Sequence, residues 1–229
     1  MALPGGASPQ WEEAVYAKGK QVNRYPFDFV VASVAREFVS VPRDLRGGVR
    51  ILEIGCGSGS NVWFLCREGF AAAGIDASAT AISMAGARLG EDRLSADLRV
   101  GDFGQLPWPD RSFACVIDRF SMTHNRRAHV EKTLAEVHRV LAPGGIVCSQ
   151  VASVADSGRA FGRDLGDGAR DQFHDGAFRD LGVTFFAAEA DIRKLFGTGF
   201  AIERMAHHRV ADLVNGGERA WFETSGRKQ

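Results

Sequence analysis

The sequence predicts an α/β fold: a doubly wound, mostly parallel seven-stranded sheet with an antiparallel C-terminal strand and helices on both faces. Three observations carry this. An apolar run over residues 49–54 ends in a glycine-rich turn, and a helix-like segment over 61–67 follows at once. Strand and helix patterns then alternate as far as residue 151, as expected for parallel strands joined by right-handed crossovers. Finally, two strand-like runs, 200–210 and 219–224, flank Asn215-Gly216-Gly217, the chemistry of a hairpin turn.

The chain's 229 residues suit one domain with a sizeable core. Its 28 Lys and Arg balance 28 Asp and Glu, which argues against a broad nucleic-acid footprint, since that needs a basic excess. The four cysteines, Cys56, Cys66, Cys115 and Cys148, form no C-x-x-C pair, so zinc and dithiol chemistry are not indicated. No basic stretch leads into a long apolar one at the N-terminus, and nothing approaches the roughly 20 apolar residues of a membrane span. The expectation is a cytoplasmic protein without membrane partners.

The elements follow in order. Residues 1–9 hold Pro and Gly and read as loose. Residues 11–38 read as two helical pieces broken at Tyr25-Pro26, with Val30, Val31, Val34 and Phe38 at helical spacing. Trp11, Tyr16, Tyr25 and Phe27 make this leader unusually aromatic. Strand one covers 49–54. Strand two covers 70–75 and ends in Asp76; Ser78 can cap the next helix, where Ile82, Ala85 and Leu89 share a face. Strand three covers 98–101, before Asp102-Phe103, and strand four covers 113–118. Val130, Leu134, Val137 and Leu141 mark an amphipathic helix stopped by Pro143-Gly144-Gly145; strand five covers 146–151. Residues 153–184 break the rhythm, are rich in Gly, Asp and Arg, and read as a functional loop or lid. A short helix over 188–196 precedes the hairpin. The organisation is therefore a single domain: an N-terminal cap (1–46), a core (47–152), a substrate loop (153–187) and a C-terminal helix and hairpin (188–229).

The glycine turn, Glu53-Ile54-Gly55-Cys56-Gly57-Ser58-Gly59, carries chemistry. Without Cβ atoms its backbone can bend sharply and admit a ligand, and free N–H groups of the next helix can face it. Position 60 is Ser, so the dinucleotide pattern G-x-G-x-x-G is not completed. The stretch resembles motif I, (D/E)-x-G-x-G-x-G, of class I methyltransferases that use S-adenosylmethionine. Four more segments fall in that family's order: residues 74–78, Gly101-Asp102-Phe103, Val116-Ile117-Asp118 and residues 139–145.

The resemblance implies a Rossmann-like fold, S-adenosylmethionine as cofactor, and methyl transfer to an O or N atom of an acceptor. By that likeness Glu53, Gly55, Cys56, Gly57, Gly59 and Asn61 hold the methionine end, Asp76 and Ala77 the ribose and adenine edge, Asp102 and Phe103 the adenine, and Asp118 borders the site. The family's loop after strand four faces the transferable methyl, which makes His124 the candidate general base. Trp11, Tyr16 and Tyr25 from the cap, His174 from the lid and His207 from the hairpin are candidate substrate contacts; His129 and His138 read as surface. Asp118-Arg119-Phe120-Ser121 stands where an Asn-Pro-Pro-Tyr-like tetrapeptide would mark a nucleobase or amide substrate. With the neutral charge, this favours a small-molecule acceptor. No metal-binding spacing is present. The alternatives are a nicotinamide-dependent oxidoreductase, opposed by Ser60 and Asp102-Phe103, and a non-catalytic S-adenosylmethionine-binding module. Oligomeric state is not legible.

Overall fold

The structure, a computed structural model, describes residues 11–20 and 22–229. The expectation of a loose stretch over residues 1–9 lies outside them. The leader forms a short π-helix (Trp11–Val15) and a 3-10 turn (Tyr16–Lys18), then α1 (Asp28–Phe38). Next come β1 (Arg50–Ile54), α2 (Ser60–Arg67), β2 (Ala71–Asp76), α3 (Ala79–Glu91), β3 (Asp97–Val100), β4 (Phe113–Arg119) and α4 (Arg127–Val140). β5 (Leu141–Ala152) begins directly where α4 ends, five residues before its expected start, so Pro143-Gly144-Gly145 sits in the irregular first part of the strand. Then follow β6 (Arg163–Asp164), β7 (Ala169–Asp171), β8 (Thr184–Phe185), α5 (Glu189–Gly197), β9 (Phe200–Ala211) and β10 (Glu218–Lys228).

Seven strands form one sheet in the order β3-β2-β1-β4-β5-β10-β9, with β10 antiparallel to both neighbours. Alternation along each strand divides the core. Leu52, Ile54, Ile75, Val116 and Val147 face α4 and α5, whose Val130, Leu134, Val137, Ile192 and Phe196 are buried against them. Ile51, Ala72, Cys115, Ile117 and Cys148 face the other way, toward Val30 and Val34 of α1 and Val62 and Leu65 of α2. Both faces are covered, which is why these strands read as continuous apolar runs. Ser78 caps α3 as expected, accepting from the Ala81 N–H at 2.9 Å.

The segment expected as a lid folds into its own three-stranded sheet, β6-β7-β8. Phe173, Phe178 and Phe186 pack against Ala152 at the end of β5 and are buried. No helix among the described residues is long and apolar enough to cross a membrane.

Candidate functional site

β1, β2 and β3 run to one side of the sheet and β4 and β5 to the other, so the order reverses between β1 and β4. Crevices form at the C-terminal ends of strands at such a switch. The register puts Glu53 beside Gly74 and Ile117, and Ile54 beside Asp118, gathering the ends of β1, β2 and β4. A cavity opens there. Its wall comes from the leader (Trp11, Tyr16, Asn23, Phe27), the end of β1 with the glycine turn and α2 (Glu53, Gly55, Cys56, Gly57, Ser58, Ser60, Asn61), the ends of β2 and β3 with the turns after them (Asp76, Ala77, Asp102, Phe103), and the end of β4 with the loop after it (Arg119, Phe120, Ser121, His124, Asn125).

The turn is glycine for steric reasons at two cavity positions. Gly55 and Gly57 take φ of +63° and +52°. A Cβ on Gly55 would run into Ser121 Oγ, and one on Gly57 into the Tyr16 hydroxyl. Cys56 lines the wall with its thiol packed beneath Gly74; burial pushes that thiol's pKa up, so it stays protonated.

Glu53 is buried. Asn61 Nδ2 donates to its Oε1 at 2.6 Å, and Asn61 Oδ1 accepts from the Phe27 N–H at 2.9 Å. This relay ties the start of α1 to the strand end. Glu53 Oε2 is buried and has no partner among the described residues. Burial is the main cause that pushes its pKa up to about 8, against the opposing Asn61 hydrogen bond.

Asp76 accepts from the Gly57 N–H on Oδ2 and the Ser78 N–H on Oδ1, both at 2.9 Å. Burial raises its pKa and those two bonds oppose the rise. Each oxygen keeps a second lone pair for a ligand donor. Asp102 Oδ1 accepts from the Gly104 N–H at 2.8 Å and lies 2.8 Å from His129 Nε2. Burial works against the Asp102 charge, but the His129 and Gly104 bonds outweigh it and hold its pKa low. His129 Nδ1 in turn meets Thr133 Oγ1 at 3.3 Å, and its ring stands edge-on to Phe103 at 5.4 Å. His129 is thus no surface residue; α4 turns it toward Asp102 and Phe103.

His124 lines the cavity as expected. The Trp11 ring meets it edge-on at 4.9 Å, and Thr184 Oγ1 lies 3.5 Å from Nδ1. Burial, then the nearby Arg119 charge, push its pKa down to about 3, so the imidazole is neutral at ordinary pH. Tyr16 stands over Gly57, while Trp11 meets His124.

Five expected site residues are not part of the cavity wall. Asp118 lies beneath it, fully buried, accepting from the Ser121 and Met122 N–H groups at 2.8 and 2.9 Å and from Ser149 Oγ at 2.6 Å. It shapes the loop that carries His124 and leaves no oxygen for a ligand in the cavity. Gly59 serves packing: a Cβ there would fall 2.6 Å from Ala85 Cβ, where α2 meets α3. Tyr25 is 71% exposed. His174 is exposed and edge-on to Phe161 at 5.5 Å. His207 lies 2.9 Å from Ser153 Oγ and stacks on Phe222 at 4.3 Å, while His208 stacks on Trp221 on the opposite face. No residue of 153–187 lines the cavity, so the expected lid does not border it.

The cavity also holds residues the sequence did not single out as site residues: Asn23, Phe27, Ser58, Ser60, Arg119, Phe120, Ser121 and Asn125. Only the position of the last four, just after strand four, could have pointed to them.

Comparison with known proteins agrees with this geometry. A family profile described as a methyltransferase domain matches residues 51–145. A sterol 24-C-methyltransferase of Gibberella zeae is 30% identical over 105 residues, 44% of this chain and 27% of the relative. A fatty-acid O-methyltransferase of Mycolicibacterium smegmatis is 30% identical over 131 residues, 56% of this chain and 44% of the relative. The match thus spans less than half the length of each of these curated relatives. Among solved structures, the PH0226 protein of Pyrococcus horikoshii superposes with a TM-score of 0.69 at 18% identity, covering 97% of this chain and 96% of that one.

Proposed function

We propose that this chain, which belongs to the class I S-adenosylmethionine-dependent methyltransferase family, transfers the cofactor's methyl group to an oxygen or nitrogen of a small-molecule acceptor by in-line displacement. One observation carries the reading: Glu53 Oε2 is a buried carboxyl oxygen in the cavity wall without a partner among the described residues. A buried acid in that state needs a cation or a donor, and the cofactor's ammonium is both. The other residues fit the remaining parts of the molecule. Asp76 has free lone pairs for the ribose diol, Asp102 keeps Oδ2 for the adenine amine, and the turn at Gly55 and Gly57 admits the chain between them.

S-adenosylmethionine brings a methyl carbon already activated by its positive sulfur. The work left to the protein is to bind, align and exclude water, and alignment can supply up to roughly 7–11 kcal/mol. Asn61 fixes the Glu53 carboxylate, His129 fixes Asp102, and Trp11 and Phe27 cover the cavity. Neutral His124 offers the acceptor a hydrogen-bond partner. The small-molecule reading draws support from the fatty-acid acceptor in the name of one relative.

The test is isothermal titration with S-adenosylmethionine, S-adenosylhomocysteine and NADH. The first two should bind, and Asp76→Ala should weaken both by roughly ten- to a hundredfold, the worth of a charged hydrogen bond. Binding of NADH alone overturns the reading. Transfer of a labelled methyl group to a panel of small acceptors then separates an enzyme from a binding module.

A further inference from the structure

Arg119 is the last residue of β4, on the far side of the sheet's switch point from β1, β2 and β3. The three acids assigned to the cofactor, Glu53, Asp76 and Asp102, all belong to those three strands or the turn after them. Arg119 shares the cavity wall with both Glu53 and His124, and its charge acts on each of them.

The guanidinium lies between two aromatic rings, 3.6 Å from the Phe27 centroid and 5.1 Å from that of Phe120. Phe120 adopts a φ of +59°, a left-handed conformation that a bulky side chain rarely takes, to complete this slot. Arg119 Nε is buried and has no hydrogen-bond partner among the described residues. Glu53, Asp28 and Asp118 act on the guanidinium only through space. Two other partly buried arginines are paired, Arg127 with Asp191 and Arg139 with Glu136; Arg159 Nε, remote from the cavity wall, is also buried without a partner among the described residues. A buried guanidinium N–H with no acceptor among the described residues is costly, and a ligand's acceptor atom would satisfy it. The planar fork of a guanidinium matches a carboxylate with two parallel N–H···O bonds.

We propose that Arg119 binds a carboxylate group of the methyl acceptor, so that the acceptors are small organic acids. This rests on the methyltransferase reading and names its substrate class. The apolar faces of Trp11, Phe27 and Phe120 suit the acid's hydrocarbon part. Because His124 stays neutral, Arg119 is the only cationic side chain among the described residues of the cavity wall. The cofactor's own α-carboxylate shares this chemistry, so the experiment separates the two sources.

The full chain, saturated with S-adenosylhomocysteine, is titrated with acetate, benzoate and decanoate, each beside its uncharged amide. At least one acid should bind about tenfold or more tightly than its amide. Arg119→Met should abolish that preference while affinity for S-adenosylhomocysteine stays within about twofold. Arg119→Lys, which keeps the charge without the fork, should retain part of it and decides the matter if the Met variant does not fold. The proposal is overturned if no acid is preferred over its amide. It is equally overturned if Arg119→Met weakens S-adenosylhomocysteine about tenfold and leaves the acid preference untouched, which assigns the arginine to the cofactor. Failure of the unaltered chain to bind S-adenosylhomocysteine is a separate result, and removes the methyltransferase reading itself.

Discussion

His129 Nε2 on α4 lies 2.8 Å from Asp102 Oδ1, in the turn after β3. The contact ties Asp102 to a helix on one face of the sheet and uses Oδ1 alone, which under the proposed function leaves Oδ2 for the adenine amine. His129→Ala should weaken S-adenosylhomocysteine binding by about 5- to 15-fold, or about 1–1.5 kcal/mol, with turnover at saturation little changed. Titration calorimetry measures this; unchanged affinity would mean that the Gly104 N–H holds the carboxylate unaided.

Glu53 gives the site a proton linkage. Its folded pKa of about 8 stands above its ordinary 4.5, so it keeps its proton at neutral pH in the free protein. A raised folded pKa favours the fold below the ordinary value, and that contribution is lost as pH rises through about 8. The free protein's melting temperature, measured against Glu53→Gln, should therefore fall over that window, with Asp76 adding in the same direction. A bound ammonium requires the carboxylate, so cofactor uptake near neutral pH should release up to about one proton. Calorimetry in buffers of different ionisation enthalpy reads that proton directly, and Glu53→Gln should abolish it.

Burial and the Arg119 charge make His124 a weak proton acceptor, at about 3. A general base typically contributes about 10²–10⁴-fold. An acceptor whose attacking atom is itself an anionic carboxylate oxygen has no proton to lose and does not need one. His124→Ala should accordingly lower turnover less than about tenfold, with no pH dependence between pH about 5 and about 8 that the unaltered chain lacks. A loss of about a hundredfold or more in steady-state kinetics would restore the histidine as the base.

Two glycines in neighbouring elements should respond in opposite ways to the same change. Gly86 sits on the exposed side of α3 with open space around the missing Cβ. Gly86→Ala should stabilise the fold by about 0.5–1 kcal/mol, by lowering the entropy of the unfolded chain. Gly57→Ala forces a left-handed alanine against the Tyr16 hydroxyl and should destabilise by about 1 kcal/mol or more. Thermal melts of the two variants check the pair.

The parallel sheet was readable because Ile51, Leu52, Ile54, Ile75, Val116 and Ile117 are buried on both faces, and such strands leave unbroken apolar runs. That Glu53, Asp76 and Asp102 would gather at one cavity was readable because turn chemistry fixes them next to their strands. Side-chain direction was not. Tyr16 and Tyr25 look alike in an aromatic leader, yet one ring is buried over Gly57 and the other is exposed. His129 is drawn inward by an acid 27 positions earlier in the chain, a distance that no helical period records. Asp118 stands at a strand end like Asp76, but Ser149 on the neighbouring strand and two loop amides claim its oxygens. Nothing in the letters around Arg119 reveals that its Nε has no hydrogen-bond partner among the described residues.

β10 lies between β5 and β9, although it is made after both. β9 pairs with β10 alone, and β10 also covers the edge of β5. One eleven-residue strand thus closes two edges at once, and a chain cut before residue 218 should leave both β5 and the twelve-residue β9 open to pairing with other chains.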